Sequence, residues 1–175
     1  MVGCSHSAAH LVGGTGHHIR HNFIHHNQYQ DLGYGVCHDV AHNLIERNIV
    51  FNHNRHYIAG TGRPGCGYVA RHNVEQGTSL SHCFDMHGGK DRKDGTDTAG
   101  TRLEFSHNTF WYHKPAIKIG GFPEESSRVR NNWFCHTNAE KAILHEGNVT
   151  INKNAWTRIT QSRYYPPKIS PTCPL

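Results

Sequence analysis

The chain has 175 residues, of which 35% are hydrophobic and only 18% are charged, and its formal net charge is +5. A chain of this length can bury a core, and so few charges argue against intrinsic disorder. Histidine is unusually abundant, with 18 residues, so the surface would become strongly basic at mildly acidic pH. A basic surface favours polyanionic partners, such as acidic polysaccharide or nucleic acid. No stretch is long and apolar enough to predict a transmembrane helix.

A six-residue phrase centred on asparagine recurs along the chain, beginning with Ile19–Ile24. In every copy an apolar residue lies three positions before the asparagine, and two polar residues come between them. An apolar residue follows two positions later in five of the six copies. The asparagines are Asn22, Asn48, Asn73, Asn108, Asn132 and Asn154, at intervals of 26, 25, 35, 24 and 22 residues. A period in this range predicts structural units that stack on one another.

A second, looser strand lies between successive asparagines, and a glycine closes four of its five copies. These strands are Tyr34–His38, His56–Gly60, Cys83–Gly88, Ala116–Gly120 and Ala142–Gly147. No segment keeps a 3.6-residue period over three turns, so no long helix is predicted. Strands that repeat in one direction need a coiled path in which each coil pairs with the next. We therefore predict an all-β parallel β-helix of about six to seven coils, with asparagines in left-handed turns that bond to one another.

The stretch GVCHDVAHNLIERNIVFNHN (residues 35–54) resembles the right-handed parallel β-helix repeat of the pectate-lyase-like superfamily. The shared pattern is a glycine, a short apolar strand, a polar turn, and an apolar residue three positions before asparagine. The resemblance covers roughly residues 10–156 and implies a right-handed parallel β-helix over residues 1–156. Proteins of this fold include polysaccharide lyases, glycoside hydrolases, epimerases and structural spikes, so the resemblance does not choose an activity.

Residues 157–175 leave the repeat, because their four prolines prevent another stacked strand. We expect this segment to cover the last coil or to act as a linker. The chain also begins in mid-pattern, so we expect a fragment of a longer protein or a sequence without its leader. Its six cysteines include no CxxC pair, and both disulfides and buried thiols stay open.

The longest interval between asparagines contains about ten additional residues, most of them in Gly88–Gly100. Insertions in stacked repeats form loops, often on the binding face. Calcium prefers several oxygen ligands in a flexible loop, so this segment is a predicted Ca²⁺ site, with a solvated polar loop as the alternative. The predicted ligands are Asp91, Asp94 and Asp97.

The strand before this loop contains the predicted catalytic residues. If Phe84 faces the core, then Asp85 and His87 face outward together, because residues i and i+2 of a strand share a side. The next coil repeats the pattern, so pairing Phe84 with Ile117 places Lys118 beside Asp85. An outward group of aspartate, histidine and lysine beside a long loop has the components of an acid–base site.

Two reactions can use these groups. In a lyase, Lys118 or His87 would accept the proton at C5 of a uronate, with calcium or arginine neutralising the carboxylate. In a glycoside hydrolase, Asp85 would act together with Asp91 or Asp94, since two carboxylates must flank the bond. The alternative is an ordinary surface Asp–Lys pair.

Substrate-binding residues are predicted in two places. His38 in an earlier coil and His145 in a later coil would extend the Asp85 cluster. The polar pair before each asparagine is rich in basic residues, including Arg71 and Arg130, and stacking would align them into a basic stripe that suits a polyuronate chain. A solvated ridge is the alternative for this stripe.

These residues predict a carbohydrate-active protein that acts on an acidic polysaccharide or another glycan, with no specific nucleic-acid partner. Two alternatives stay open: a non-catalytic glycan-binding or structural spike module, and a surface protein that binds zinc, copper or nickel through its histidines. An extracellular or cell-surface location is the expectation that accompanies a polysaccharide substrate.

Overall fold

The computed structural model describes residues 1–27, 30–51, 55–77, 81–111 and 114–157. Within them, short strands form three entirely parallel sheets of six strands each, which confirms the predicted all-β solenoid. Successive strands enter sheets 1, 2 and 3 in turn, so each coil has three strands where the sequence showed two. Each sheet has six strands, so its first and last strands are separated by five turns of the solenoid. Apart from Thr157, the proline-rich tail lies outside the described residues.

The strands are numbered in chain order. Sheet 1 consists of β1 (Ser7–Val12), β4 (Tyr34–Asp39), β7 (Ile58–Gly60), β10 (Phe84–Met86), β13 (Ile117–Ile119) and β16 (Ile143–His145). Sheet 2 consists of β2 (Thr15–Arg20), β5 (His42–Glu46), β8 (Gly67–Arg71), β11 (Leu103–Ser106), β14 (Ser127–Arg130) and β17 (Val149–Asn152). Sheet 3 consists of β3 (Phe23–His25), β6 (Ile49–Phe51), β9 (Val74–Glu75), β12 (Thr109–Phe110), β15 (Trp133–Phe134) and β18 (Ala155–Trp156).

Two helices of four residues each interrupt the coils: α1 (Gly89–Arg92) and α2 (Ala139–Ala142). Helix α2 begins after Asn138, whose side-chain oxygen accepts a hydrogen bond from the backbone N–H of Lys141 at 3.2 Å. Across the described ranges, neither helix has the length or the apolar content needed to cross a bilayer.

The six asparagines lie at the corner between sheets 2 and 3, and they form the predicted ladder. Asn73 Oδ1 accepts hydrogen bonds from the backbone N–H and from Nδ2 of Asn48, both at 3.1 Å. The same two bonds join every successive pair from Asn22 to Asn154. From Asn48 onward, each Nδ2 also donates to a backbone carbonyl of the preceding coil, as Asn48 Nδ2 does to Ile19. The acceptor is always the apolar residue of the preceding asparagine phrase. The repeated spacing therefore reflects a continuous hydrogen-bond network.

The expectation that the asparagine itself is left-handed was wrong. The residue immediately before each asparagine has the positive φ, between 51° and 56°, and these residues are His21, Arg47, His72, His107, Asn131 and Lys153. This backbone conformation turns the chain from sheet 2 into sheet 3. It leaves the asparagine side chain directed inward, where it reaches the neighbouring coils.

The core is a column of aromatic and aliphatic side chains between the three sheets. Phe84 packs edge-on against Phe105 and Phe110, with ring centroids 5.3 and 5.0 Å apart. Phe110, Phe134 and Trp156 then stack along the sheet 3 side at centroid distances of 4.9 Å. The described part of the chain contains five cysteines, all with free thiols: Cys4, Cys37, Cys66, Cys83 and Cys135.

The predicted insertion between Asn73 and Asn108 packs against sheet 1. Arg92 anchors it: Nη1 donates to the carbonyl of Thr61 at 3.0 Å, and Nη2 donates to the carbonyl of Thr98 at 3.0 Å. Gly88, where the loop leaves the strand, lies so close to the next coil that an added Cβ would be 1.6 Å from the Gly120 carbonyl oxygen. The loop is therefore held beside the outer face of β10 and β13.

Candidate functional site

The predicted pairing of the outward residues in sheet 1 is confirmed. Asp85 of β10 pairs with Lys118 of β13 on one side and with Ala59 of β7 on the other. Its strand neighbours Phe84 and Met86 are buried in the core, as expected. The exposure of Asp85 differs from the prediction: it is only 2% exposed, although its side chain lies on the outer face of the sheet.

Three histidines surround the Asp85 carboxylate. Asp85 Oδ2 lies 3.1 Å from His87 Nε2 and 3.9 Å from His56 Nε2, while Oδ1 lies 3.6 Å from His82 Nδ1. Burial acts to raise the pKa of Asp85, but the three histidines and Lys118 outweigh it and hold this pKa below its ordinary value. Asp85 Oδ1 has no hydrogen-bond partner within the described ranges. The carboxylate is thus an ionised group in a nearly dry environment.

His56 is held in one orientation. Its Nδ1 lies 2.9 Å from the carbonyl oxygen of His82, which can only accept, so Nδ1 has the proton and Nε2 presents a lone pair towards Asp85. Burial lowers the pKa of His56 to about 4, so the ring is neutral at neutral pH. The ring also stacks between Tyr34 and His82, at centroid distances of 5.7 and 5.8 Å.

His87 and Lys118 are the accessible basic groups of this cluster. Their side chains are 35% and 32% exposed, against 2% for Asp85. Asp91 of the inserted loop lies between them, with Oδ2 3.4 Å from Lys118 Nζ and 3.8 Å from His87 Nδ1. The loop therefore contributes a carboxylate that positions both basic groups. The buried Asp85 carboxylate contacts His87 at its other ring nitrogen, Nε2.

An open groove of about 330 Å³ lies on the outer face of sheet 1, and His87 is one of its lining residues. Its lining includes Ala59, with a single methyl group, and Gly60, which has no side chain. Asp39 in the groove accepts a hydrogen bond from Thr61 Oγ1 at 2.9 Å. Most of the other lining residues are basic or aromatic, including His6, His10, Tyr34, Arg63 and His87. This lining suits a ligand with both negative groups and sugar-like apolar faces.

Two of the three loop aspartates predicted as Ca²⁺ ligands, Asp91 and Asp94, have different side-chain partners. Asp91 contacts Lys118 and His87, as above. Asp94 accepts hydrogen bonds from Thr96 Oγ1 at 2.7 Å and from Arg92 Nε at 2.6 Å, and these bonds lower its pKa to about 2. Among the described residues, Asp91, Asp94 and Asp97 do not bring their carboxylates within 4.8 Å of one another. Calcium binding by this loop stays a prediction.

The two histidines expected to extend the cluster do not lie beside it. His38 is 1% exposed and stacks on the buried ring of Tyr68 at 5.1 Å, because it shares the inward side of β4 with Val36. Its imidazole therefore packs against the core, although His38 is among the residues that line the groove. In β16, Leu144 is the residue that pairs with Lys118. His145 is the next residue along this strand, so it belongs to the opposite side of the sheet from Leu144 and Lys118.

Arg71 and Arg130 align as predicted, but on sheet 2. Both pair in register with Ser106, and both side chains are exposed. Glu46 interrupts the basic stripe: its Oε2 lies 2.6 Å from Arg71 Nε. The stripe is therefore a surface distinct from the groove on sheet 1, and its role in substrate binding stays a prediction.

His56 and His82 were missed as site residues in the sequence. Each lies two positions before the first inward residue of its strand, as Tyr34 does one coil earlier. This shared offset predicts that the three rings stack at the corner between sheets 3 and 1, and it could have identified them.

The fold and the site together define a parallel β-solenoid with a histidine-rich cluster and a groove on one outer face. No known protein family, curated protein or solved structure matches the chain.

Proposed function

We propose that the protein binds an acidic polysaccharide along the sheet 1 groove and cleaves it by β-elimination. The observation that supports this best is the accessible basic pair, His87 and Lys118, beside a groove with a basic rim. Elimination from a uronate needs a base at C5 and positive charge near the carboxylate, where negative charge develops in the transition state. An extracellular or cell-surface location is part of the same proposal.

Hydrolysis fits the cluster less well. A glycoside hydrolase needs two carboxylates that flank the glycosidic bond. Asp85 is 2% exposed behind three imidazoles, so its oxygens do not reach a sugar on the surface. Asp91, with 34% of its side chain exposed, is the accessible carboxylate of the cluster. Asp85 is therefore assigned as a positioning residue for His87.

The proposed reaction begins when His87 or Lys118, in its neutral form, removes the C5 proton. The electron pair of the C5–H bond forms a C4=C5 double bond, and the bond between C4 and the glycosidic oxygen breaks. The leaving oxygen takes a proton and becomes the hydroxyl group of the released sugar. The other basic group stabilises the uronate carboxylate while negative charge develops on it.

The test is incubation of purified protein with polygalacturonate, alginate and a neutral glucan, followed by ultraviolet absorbance of unsaturated uronates. We expect product from an acidic polymer only. Lys118→Met should lower the rate at least about 100-fold, in the range typical for loss of an acid–base group. Lys141→Met is the matched control because Lys141 is also exposed but lies on α2, away from the groove, and it should retain the wild-type rate.

The same experiment separates the second candidate function, a non-catalytic glycan-binding module. The groove itself favours binding whether or not a bond is cleaved. Retention of an acidic polymer by the wild-type protein, with neither unsaturated product nor new reducing ends, would replace the lyase proposal with this one.

A further inference from the structure

His56, Asp85 and His87 converge in a way that an acid–base pair does not require. From their geometry we infer that these side chains form a binding site for a divalent first-row transition metal ion, with Zn²⁺ as the representative ligand. Among the described residues, they are the only group of three or more histidine, cysteine, aspartate or glutamate side chains whose ligand atoms all lie within 4.8 Å of one another.

The distances suit a shared metal ion. Two ligand atoms that are each about 2.1 Å from a tetrahedral or octahedral metal lie roughly 3.0–3.4 Å apart. The separation between His87 Nε2 and Asp85 Oδ2 is 3.1 Å, within this range. The separation between His56 Nε2 and Asp85 Oδ2 is 3.9 Å, so closure requires a side-chain shift of about 0.5 Å.

The surrounding groups orient the ligands as in known metal sites. A metal-binding histidine usually donates its second ring N–H to a carbonyl or carboxylate, which fixes the tautomer. His56 does this through Nδ1 and the His82 carbonyl at 2.9 Å. On the other side of the cluster, Asp91 Oδ2 lies 3.8 Å from His87 Nδ1.

Asp85 gives a second, independent observation. Its Oδ1 is buried and has no hydrogen-bond partner in the described part of the chain. The lone pair on His56 Nε2 faces the other oxygen of this carboxylate, Oδ2, at 3.9 Å, and a cation between these two acceptors would bind both. A metal ion bound to Oδ2 would thus neutralise a buried carboxylate whose other oxygen, Oδ1, has no partner among the described residues.

The donor set determines the class of metal. Two imidazole nitrogens and one carboxylate oxygen are typical ligands of zinc, iron, cobalt, nickel or copper, whereas calcium prefers an all-oxygen set. Three protein ligands also leave coordination positions open on the metal, as in catalytic sites. This site is separate from the predicted Ca²⁺ site of the loop aspartates.

The role of the metal, though not its binding, rests on the proposed elimination. A metal ion here would supply the positive charge that stabilises the uronate carboxylate. His87 would be a ligand through Nε2, which leaves Lys118 as the group that accepts the C5 proton. Lys118 Nζ contacts Asp91 at 3.4 Å and is not one of the three converging side chains, so it stays available for this step.

The test is titration of untagged protein, first stripped with a chelator, with Zn²⁺ by calorimetry and with Co²⁺ by visible absorbance. We expect one strong site per chain and the visible bands of cobalt bound to nitrogen and oxygen ligands. His87→Gln should lower the Zn²⁺ affinity at least about 100-fold, since loss of even an outer-shell partner costs about 10–100-fold. Its side chain is 35% exposed, so the variant should fold, which circular dichroism checks.

His72→Gln is the matched control, because His72 is an exposed histidine that stacks on His107 at 5.0 Å, on another corner of the solenoid. It should retain the strong site. Absence of strong binding in the wild type, or equal affinity in wild type and His87→Gln, would overturn the metal site. Lys118→Met separates the two proposals: it should bind Zn²⁺ normally while losing lyase activity. Metal binding without any lyase activity would refute the proposed function alone.

Discussion

The asparagine ladder should be a principal source of stability, and Asn108→Ala tests this most clearly. Asn108 Oδ1 accepts hydrogen bonds from the backbone N–H and from Nδ2 of Asn73, both at 3.0 Å. Both donors are buried, and in the variant each would lose this acceptor, although Asn73 Nδ2 keeps its bond to the Ile45 carbonyl through its second hydrogen. Each buried donor without a partner costs about 1–3 kcal/mol. We therefore expect Asn108→Ala to lower the free energy of unfolding by about 4 kcal/mol.

Asn22→Ala is the control within the same ladder. Asn22 lies in the first coil, and its Nδ2 donates to Asn48 Oδ1 at 3.1 Å and to the Arg20 carbonyl at 2.8 Å. In the variant, Asn48 Oδ1 would still accept from the backbone N–H of residue 22. The expected cost is therefore about 2 kcal/mol, the net value of the two side-chain hydrogen bonds that are lost. Urea unfolding followed by circular dichroism measures both variants, and equal costs would refute the ladder as a source of stability.

Two further predictions concern pH and the inserted loop. Burial lowers the pKa of His38 from 6.5 to about 3, so the folded state loses stability as the pH falls from 6.5 towards 3. By about pH 5 this loss of stability should reach about 2 kcal/mol. The variant His38→Phe should not show this loss when urea unfolding is measured as a function of pH. An unchanged pH dependence in the variant would contradict the interior position of the ring. Gly88→Ala should displace the loop and lower both stability and activity, because its Cβ would meet the Gly120 carbonyl. Gly95→Ala, with open space and a φ of +78°, should cost only about 1 kcal/mol by thermal unfolding, so a similar loss in both variants would argue against the close contact at Gly88.

The repeat spacing was sufficient to predict the fold and one register. Each asparagine marks the same corner of a coil, so the phase of the following strand can be counted from it. This placed Lys118 beside Asp85 correctly, and it located the insertion. The third strand of each coil was less visible, because all six strands of sheet 3 in the described residues have only two or three residues.

The environment of Asp85 could not be derived from strand alternation. Alternation predicts which side of a sheet a residue occupies, but it does not predict what covers that side. Here the corner residues His56 and His82 and the loop residue Asp91 fold back over the outer face of sheet 1. The same limitation applies to His38. Alternation from the inward residue Val36 places His38 on the inward side of its strand, but its packing on a core tyrosine depends on contacts between sheets.

Mass spectrometry of the products from acidic polysaccharides tests the central claim most directly. Elimination at the sheet 1 groove predicts oligosaccharides with an unsaturated uronate at the new non-reducing end, each lighter by one water than the hydrolysis product. These products should appear with the wild-type protein and with Lys141→Met, and they should be absent with Lys118→Met. Saturated products would indicate hydrolysis, and no cleavage of any acidic polymer by folded protein would contradict the proposed enzymatic function.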